Sequence, residues 1–248
     1  MNAIQQQVEF LEEHGYVIVP GALPPDEVER CRTSLNQARA NGWEEGLNAV
    51  GNMWFDCLLD KMPDVFGPLI AHPSIKPHPC EMLGPQCQLR SYRAHINPGP
   101  YTQEWHLDFY GYWHQPTQGR YAVRGTALNT TFYFQNNGPG VAHLTFVKNG
   151  HRVRPPVELF DATGWPLSEA ALNEWCAAQE LETIYPQAGD VVIFFSHIPH
   201  QGAKENQTVE RSNVVCHYQG TPFYEGIAHV STPRPFVGSF PLAGGNSC

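Results

Sequence analysis

The chain has 248 residues and a mass of 27.8 kDa, a size at which all-β barrels are commonly single domains. Its 42% hydrophobic and 12% aromatic content can form a sizeable core, which excludes an intrinsically disordered protein. Lys and Arg number 15 against 24 Asp and Glu, giving a net charge of −9 without a basic cluster, so nucleic acid is excluded as a partner.

No apolar run approaches the roughly 20 residues that span a membrane, and residues 1–7 lack the pattern of a secretory signal peptide. We therefore expect a cytoplasmic protein with no membrane partner. The seven cysteines form no CxxC pair, which argues against a zinc knuckle and favours reduced thiols.

The first 40 residues predict a helix, a strand and a second helix. Apolar residues recur at helical spacing over residues 4–11, and Gly15 ends that helix before an apolar run at 16–19. Prolines and acidic residues at 24–27 begin the second helix. Its apolar stripe is formed by Val28, Cys31, Leu35 and Ala38.

Residues 43–85 predict a short helix from Trp54 to Met62, followed by turns at successive prolines. From Cys87 onward, the sequence predicts one helix over 168–179, with Ser168 as its N-cap. It also predicts short strands at 88–96, 105–110, 126–134, 141–147, 191–195 and 211–218. The pattern indicates one mainly β domain with a helical N-terminal cap and an extended C-terminal tail.

A histidine and a carboxylate stand two residues apart at His106 and Asp108, in a segment predicted to be a strand. Residues i and i+2 of a strand point to the same face, so both side chains aim at one point. His200 follows an apolar strand later in the chain. Two histidines and one carboxylate form the facial triad that holds Fe(II) and leaves positions open. On its own, the HxD pair is a weak signal in a chain with 12 histidines.

Arg211 lies 11 residues after His200, on the next predicted strand. Its guanidinium is a rigid fork that suits a carboxylate. A 2-oxo acid that chelates iron through one end needs such a cation at its far carboxylate. The alternative for Arg211 is a structural pair with an acidic residue.

Several other residues compete for a role in the site. His197 is three residues before His200, so on a strand the two would face opposite ways, and the spacing to Arg211 favours His200. His151 lies in a predicted turn, where a structural role is expected. Candidates for either substrate contact or core packing are His95, His143, His217, Tyr110, Tyr112 and Trp113.

Four stretches carry one common resemblance: 10–23 (FLEEHGYVIVPGAL), 105–108 (WHLD), 147–152 (VKNGHR) and 189–218. Together they resemble the phytanoyl-CoA dioxygenase-type family of Fe(II)/2-oxoglutarate-dependent oxygenases. Residues 10–23 are similar to the opening of that family, and 105–108 to its WHxD motif. Residues 147–152 resemble its proline-glycine-x-His-Arg turn, and 189–218 match the spacing of its final block. The resemblance covers most of the chain.

This resemblance implies a double-stranded β-helix (jelly roll, cupin-like) at about 87–220, behind a cap of about 1–86. It implies Fe(II) held by His106, Asp108 and His200, 2-oxoglutarate held by Arg211, and O2 as co-substrate. The family often has a Ser where this chain has Gly202. Thr131 stands where a co-substrate-contacting Trp can occur, so we expect Thr131 to contribute to 2-oxoglutarate binding in a somewhat different pocket. Because related halogenases replace the carboxylate, the presence of Asp108 disfavours halogenation.

The expected activity is therefore oxidation, most readily hydroxylation, of a C–H bond in a small molecule such as a specialised metabolite. Tyr110 and Trp113 are the substrate-contact candidates. Two alternatives stay open. A cupin-like dioxygenase or isomerase would keep the metal site without using 2-oxoglutarate, and a non-enzymatic jelly-roll binding module would make the HxD pair accidental. Succinate release separates the first alternative from the main prediction, and metal content separates the second.

Overall fold

The computed structural model describes residues 2–49, 51–84, 87–108, 127–160, 166–206 and 208–219. The helices of this part are α1 (Ala3–His14), α2 (Pro25–Ala40), α3 (Leu58–Lys61), α4 (Pro63–Ile70), α5 (Pro77–Leu83) and α6 (Glu169–Ala177). The strands are β1 (Tyr16–Val19), β2 (Gly46–Leu47), β3 (Met53–Phe55), β4 (Gln88–Asn97), β5 (Tyr101–Thr102), β6 (Ala127–Tyr133), β7 (Ala142–Val147), β8 (Leu181–Ile184), β9 (Val191–Phe195), β10 (His200–Lys204) and β11 (Arg211–Gln219).

These strands form two antiparallel sheets. The larger has the order β1-β9-β6-β11-β4-β3-β2 and the smaller the order β5-β10-β7-β8. From β4 to β11 the chain passes repeatedly from one sheet to the other, which is the winding of a double-stranded β-helix. The mainly β class and the jelly-roll fold are thus as the sequence predicts.

The larger sheet packs helices against its outer face. Every second residue of its strands points outward and joins a large apolar core with α1, α2, α4 and α5. The inner face meets the smaller sheet through a second apolar cluster, which includes Tyr16, Phe146 and Phe194. Helix α6 covers the far side of the smaller sheet through Leu172 and Cys176. Helices therefore cover the outer face of each sheet, and the space between the sheets lies inside these layers.

The first helix and strand form as the sequence predicts. Asn2 and Gln5 make a reciprocal capping box at the start of α1, and Gly15 ends the helix with a φ of 87°. The turn at 149–152 then anchors this helix end, since Arg152 Nη2 donates to the Glu12 carbonyl at 2.6 Å. The His151 ring nitrogen Nε2 contacts the same carbonyl at 3.1 Å. His151 thus has the structural role expected of it.

Residues 43–85 differ from the prediction. Trp54 belongs to strand β3 rather than to a helix, and the helical turn that follows is limited to Leu58–Lys61. The proline-rich stretch holds two helices, α4 and α5, where turns were predicted. Each begins with a proline at its first position, where the missing N–H costs no hydrogen bond, so these prolines start helices instead of preventing them.

The strand predicted at 105–110 is also wrong within the described residues. Only His106 pairs, as an isolated bridge with His200, because the Trp105 N–H donates to Asn173 Oδ1 at 3.1 Å instead of to a ladder. The described strands β2, β5, β8 and β10 were not predicted. Strand β10 (HQGAK) is polar and contains a glycine, so it lacks the apolar alternation that marks a strand.

Cys31, Cys57, Cys87, Cys176 and Cys216 are free thiols. Cys80 is disulfide-bonded, so the expectation of reduced thiols holds for those five residues and fails for Cys80. None of the described helices is both long and apolar enough to pass through a bilayer.

Candidate metal centre

Three ligand-type side chains meet between the sheets, two from the segment at 106–108 and one from β10. One donor atom each from His106, Asp108 and His200 lies within 4.8 Å of the others. His106 Nε2 is 3.6 Å from Asp108 Oδ1, and His200 Nε2 is 3.3 Å from Asp108 Oδ2. No other group of three or more such ligands occurs in the described ranges.

The backbone fixes the two histidines beside each other. The N–H of His106 donates to the His200 carbonyl at 3.1 Å, and the N–H of His200 donates back at 3.0 Å. Trp105 and Leu107 alternate with the ligands and pack into the core beneath α6. The apolar residues of this segment therefore hold it down while its polar residues turn toward the site.

Each imidazole is oriented by a main-chain oxygen. His106 Nδ1 lies 2.9 Å from the Glu104 carbonyl, and His200 Nδ1 lies 2.9 Å from the Ile198 carbonyl. Since a carbonyl can only accept, Nδ1 carries the proton and donates in both rings. This tautomer leaves Nε2 with a free lone pair, which is the state of a metal-binding histidine.

The electrostatics keep these groups in ligand form. Burial and the neighbouring His200 lower the pKa of His106 to about 4, so its ring is neutral at neutral pH. Burial opposes ionisation of Asp108, but the charges and hydrogen bond of His200 and the charge of His106 outweigh it and hold the pKa of Asp108 below its usual range. The site thus combines the anionic carboxylate of Asp108 with the neutral imidazole of His106.

These donors fit a divalent transition metal. Metal–ligand bonds of about 2.0–2.2 Å place neighbouring ligand atoms roughly 3 Å apart, close to the observed 3.3 and 3.6 Å. The 2-His-1-carboxylate set is typical of non-haem Fe(II) sites with open positions. A metal on His106 Nε2 would displace the side-chain amide of Gln103, whose Nε2 lies 3.1 Å from that nitrogen.

Arg211 is a buried cation of β11 that lies close to the triad. Only 7% of the residue is exposed, and its guanidinium carbon lies 5.6 Å from the ring of Tyr101 and 5.7 Å from that of Tyr133. Burial lowers the pKa of Arg211 to about 10. Within the described ranges no carboxylate pairs with it, so the structural salt bridge considered above is not formed there. A buried charge of this kind is costly without an anionic partner.

Gly202 connects the triad to Arg211. It follows His200 by two residues on β10, so both face the space between the sheets. A Cβ at position 202 would lie 3.6 Å from Arg211 Nη1 and 3.4 Å from Gln103 Oε1. The missing side chain therefore leaves room in front of the guanidinium. Gln103, which sequence reasoning missed, lies beside both groups, and its position three residues before His106 carries no recognised signal.

The inner face of the larger sheet adds polar residues around the triad. Thr131 lies on this face of β6 and is buried, and no contact places it against Arg211. His217 Nε2 is 3.8 Å from Asp108 Oδ2, and its Nδ1 contacts the Ser91 hydroxyl. Asn129 donates to Asp108 Oδ2 from β6. Sequence reasoning named His217 without a definite role and missed Ser91 and Asn129.

The remaining histidines are spread over other environments. His197 lies in the turn after β9, with Nε2 3.2 Å from the His151 carbonyl. His143 faces Glu205 at 3.6 Å on the outer side of β7. His95 shares the inner face of β4 with the cavity, and burial and Arg211 lower its pKa to about 3. Tyr110, Tyr112 and Trp113 lie outside the described residues, so their predicted substrate role stays a prediction.

Comparison with known proteins identifies the fold. No protein-family model and no curated protein sequence matches the chain. Among solved structures, the epimerase SnoN in complex with Fe3+, alpha ketoglutarate and nogalamycin RO is 20% identical, with a TM-score of 0.72 over 99% of this chain and 97% of that one. EctD from S. alaskensis is 19% identical, with a TM-score of 0.71 over 94% and 82%. The carbocyclase SnoK from nogalamycin biosynthesis is 19% identical, with a TM-score of 0.69 over 87% and 83%. The chain thus shares their fold over nearly its whole length.

Proposed function

We propose that the protein is a non-haem Fe(II)- and 2-oxoglutarate-dependent oxygenase that oxidises a C–H bond of a small molecule. The observation that carries this proposal is that two features lie close together. One is the 2-His-1-carboxylate set of His106, Asp108 and His200, and the other is the buried guanidinium of Arg211, which has no carboxylate partner among the described residues. A metal site alone would not require that cation.

The distance between the two features suits a five-carbon diacid. Residues two apart on a strand are separated by roughly 6.6 Å, so Gly202 lies about that far along β10 from His200. Arg211 Nη1 lies beside position 202. A 2-oxoglutarate that chelates the metal through its 2-oxo and 1-carboxylate oxygens would place its 5-carboxylate before the guanidinium, where a bidentate charge-assisted pair can form.

The chain's own part in the reaction is binding, orientation and exclusion of water. His106 and His200 present Nε2 because main-chain carbonyls hold their Nδ1 protons, and Asp108 supplies the anionic oxygen. Arg211 would orient the co-substrate, and the aromatic rings of Tyr101 and Tyr133 shield that cation from water. When bound, Fe(II) with 2-oxoglutarate and O2 supplies the oxidising chemistry, with succinate and CO2 as co-products.

The cations near the site favour a substrate without phosphate groups. The charge of Arg211 would be balanced by the 5-carboxylate of 2-oxoglutarate. On β4, Arg93 already makes a bidentate pair with Asp56, at 2.8 and 3.0 Å. On β10, the buried ammonium of Lys204 donates to two main-chain carbonyls. Since these two cations already have partners, they are not free to bind a CoA phosphate, which favours a free small molecule.

Hydroxylation is the simplest outcome of such oxidation. The solved neighbours show how widely this fold is used, since SnoN is an epimerase and SnoK a carbocyclase of nogalamycin biosynthesis. HygX from Streptomyces hygroscopicus has been crystallised with nickel, 2-oxoglutarate and hygromycin B. By analogy with these proteins, we propose a specialised metabolite as the substrate class.

The proposal is tested by following 2-oxoglutarate without a known substrate. Reconstituted protein should convert 2-oxoglutarate slowly to succinate, and the conversion should require both Fe(II) and O2. The His106→Ala variant should lose it. If wild-type protein binds iron stoichiometrically but forms no succinate, the cupin-like alternative replaces the proposal. If it binds no iron, the binding-module alternative does.

A further inference from the structure

Two buried polar side chains form consecutive hydrogen bonds that lead to Asp108. Asn129, on the inner face of β6, donates from its side-chain nitrogen to Asp108 Oδ2. The Ser196 hydroxyl in turn donates to Asn129 Oδ1 at 2.6 Å. Both residues are almost completely buried, at 0% and 1% exposure. Neither contributes an atom to the triad itself.

The chemistry of Asp108 determines which way the Asn129 amide points. The oxygens of an aspartate carboxylate accept hydrogen bonds, and Asn129 Nδ2 is the amide atom that contacts Asp108 Oδ2. The amide therefore turns its NH2 toward the carboxylate and its oxygen away. That oxygen needs a donor in the interior, and Ser196 is the residue that supplies it.

The larger sheet holds both Asn129 and Ser196 in place. Asn129 is paired on either side, with His217 of β11 and Phe194 of β9. The N–H of Ser196 donates to the Ala127 carbonyl at 3.0 Å, which ties it to the start of β6. The donor therefore reaches Asp108 from the sheet, whereas Asp108 itself lies outside any strand.

We propose that Asn129, oriented by Ser196, is a positioning residue for the Asp108 carboxylate. The amide engages Oδ2, so rotation of the carboxylate is restricted. This fixes Oδ1 at 3.6 Å from His106 Nε2 and Oδ2 at 3.3 Å from His200 Nε2, so the carboxylate is presented to the metal position in one orientation. This inference rests on the proposed metal site, but not on the oxidation proposed for it.

The test compares metal binding in three variants. Asn129→Leu removes the donor while keeping a branched side chain, and Ser196→Ala removes only the hydroxyl that orients the amide. Thr130→Val is the matched control. Thr130 is the next residue on β6, is equally buried and faces the opposite side of the sheet. Its hydroxyl has no hydrogen-bond partner among the described residues.

Fe(II) dissociation constants are measured anaerobically, together with the visible absorption of the Co(II)-substituted protein, which reports coordination number. Loss of a hydrogen bond to a metal ligand typically weakens metal binding about 10–100-fold, and we expect this for Asn129→Leu. Ser196→Ala should show a smaller loss that Ser196→Thr restores. Both disruptive variants should change the Co(II) spectrum, whereas Thr130→Val should match wild type.

Unchanged Fe(II) affinity and an unchanged Co(II) spectrum in folded Asn129→Leu would overturn the inference. If that variant does not fold, the same unchanged result in Ser196→Ala would overturn it. Failure of the proposed function looks different, because wild-type protein would then bind Fe(II) without converting 2-oxoglutarate, and the variants would still differ in metal binding.

Discussion

The two faces of the seven-stranded sheet are made by the same strands but carry different chemistry. On β6, Leu128 and Phe132 point outward into the apolar core, whereas Asn129 and Thr131 point inward. On β11, the outward residues include Val214 and Cys216. The inward residues of β11 include Arg211, Asn213 and His217.

This alternation separates the residues that stabilise the fold from those that form the site. Because a strand repeats every two residues, a residue and its neighbour can serve the core and the cavity at the same time. The outer face supplies apolar burial, and its rigidity fixes the donors of the inner face. We therefore expect substitutions on the two faces to give separable effects on folding and on ligand binding.

The largest effect is expected for removal of the carboxylate ligand. Asp108→Ala should abolish stoichiometric Fe(II) binding and all succinate formation, because no other described side chain offers an anionic oxygen to the site. Its unfolding by urea should stay close to wild type. Iron titration and a succinate assay check the prediction, and full activity of this variant would exclude Asp108 from the site.

The opposite pattern is expected for the outer face. Phe132 is completely buried in the core under the helices, so Phe132→Ala should lower the free energy of unfolding by about 3–5 kcal/mol. Fe(II) affinity of the folded variant should stay unchanged. Urea unfolding and iron titration measure the two effects, and a large loss of iron affinity would show that the faces are coupled.

Arg211 should affect the co-substrate and not the fold. Arg211→Met would remove the proposed hydrogen-bonded ion pair, worth about 1.5–3 kcal/mol, so the 2-oxoglutarate requirement should rise by roughly 10–150-fold. Stability of the ligand-free protein should be equal or higher, since a buried charge that no described carboxylate pairs with is replaced by an apolar side chain. A lower free energy of unfolding would instead indicate a structural role.

Acid should destabilise the protein through its buried histidines. Burial lowers the pKa of His151 to about 4 and of His197 to about 3, below the value of about 6.5 in an unfolded chain. The native state thus binds fewer protons, and stability that is complete above pH 6.5 falls as the pH drops toward the folded-state values. Each histidine contributes a slope of up to about 1.4 kcal/mol per pH unit, measurable by urea unfolding across this range. The slope should decrease in His197→Gln, and an unchanged slope would contradict the prediction.

The smallest effect on Fe(II) affinity is expected for substitution of His197. His197 contacts the His151 carbonyl in the turn after β9 and is not part of the triad. Iron affinity of His197→Gln should therefore equal that of wild type, whereas His200→Ala should lose iron. The reverse result would identify His197 as the distal ligand.

The sequence predicted the elements whose signals are local. The Gly15 end of α1, the Ser168 N-cap of α6 and the apolar run of β9 all lie where they were expected. The fold came from the resemblance together with these elements. In contrast, β10 has no apolar alternation and forms only because β5 and β7 pair with it on either side. Tertiary pairing of this kind leaves no signal in the strand itself.

The candidate site was predictable to a similar extent. His106, Asp108, His200 and Arg211 were named from their types and spacing, and the structure places the first three together, with Arg211 close to them. Asn129, Ser91 and Gln103 could not be found in this way. Their contacts depend on which strands become neighbours and on where a polar residue falls in the alternation.

The most direct test of the account is anaerobic titration of Fe(II) and then 2-oxoglutarate into metal-free protein. Chelation of iron by a 2-oxo acid through open positions produces a weak visible charge-transfer band. We predict this band for wild type, its absence in Asp108→Ala, and its recovery in Arg211→Met only at higher 2-oxoglutarate concentration. Iron binding without the band at saturating 2-oxoglutarate would contradict the central claim that the triad and Arg211 form one co-substrate site.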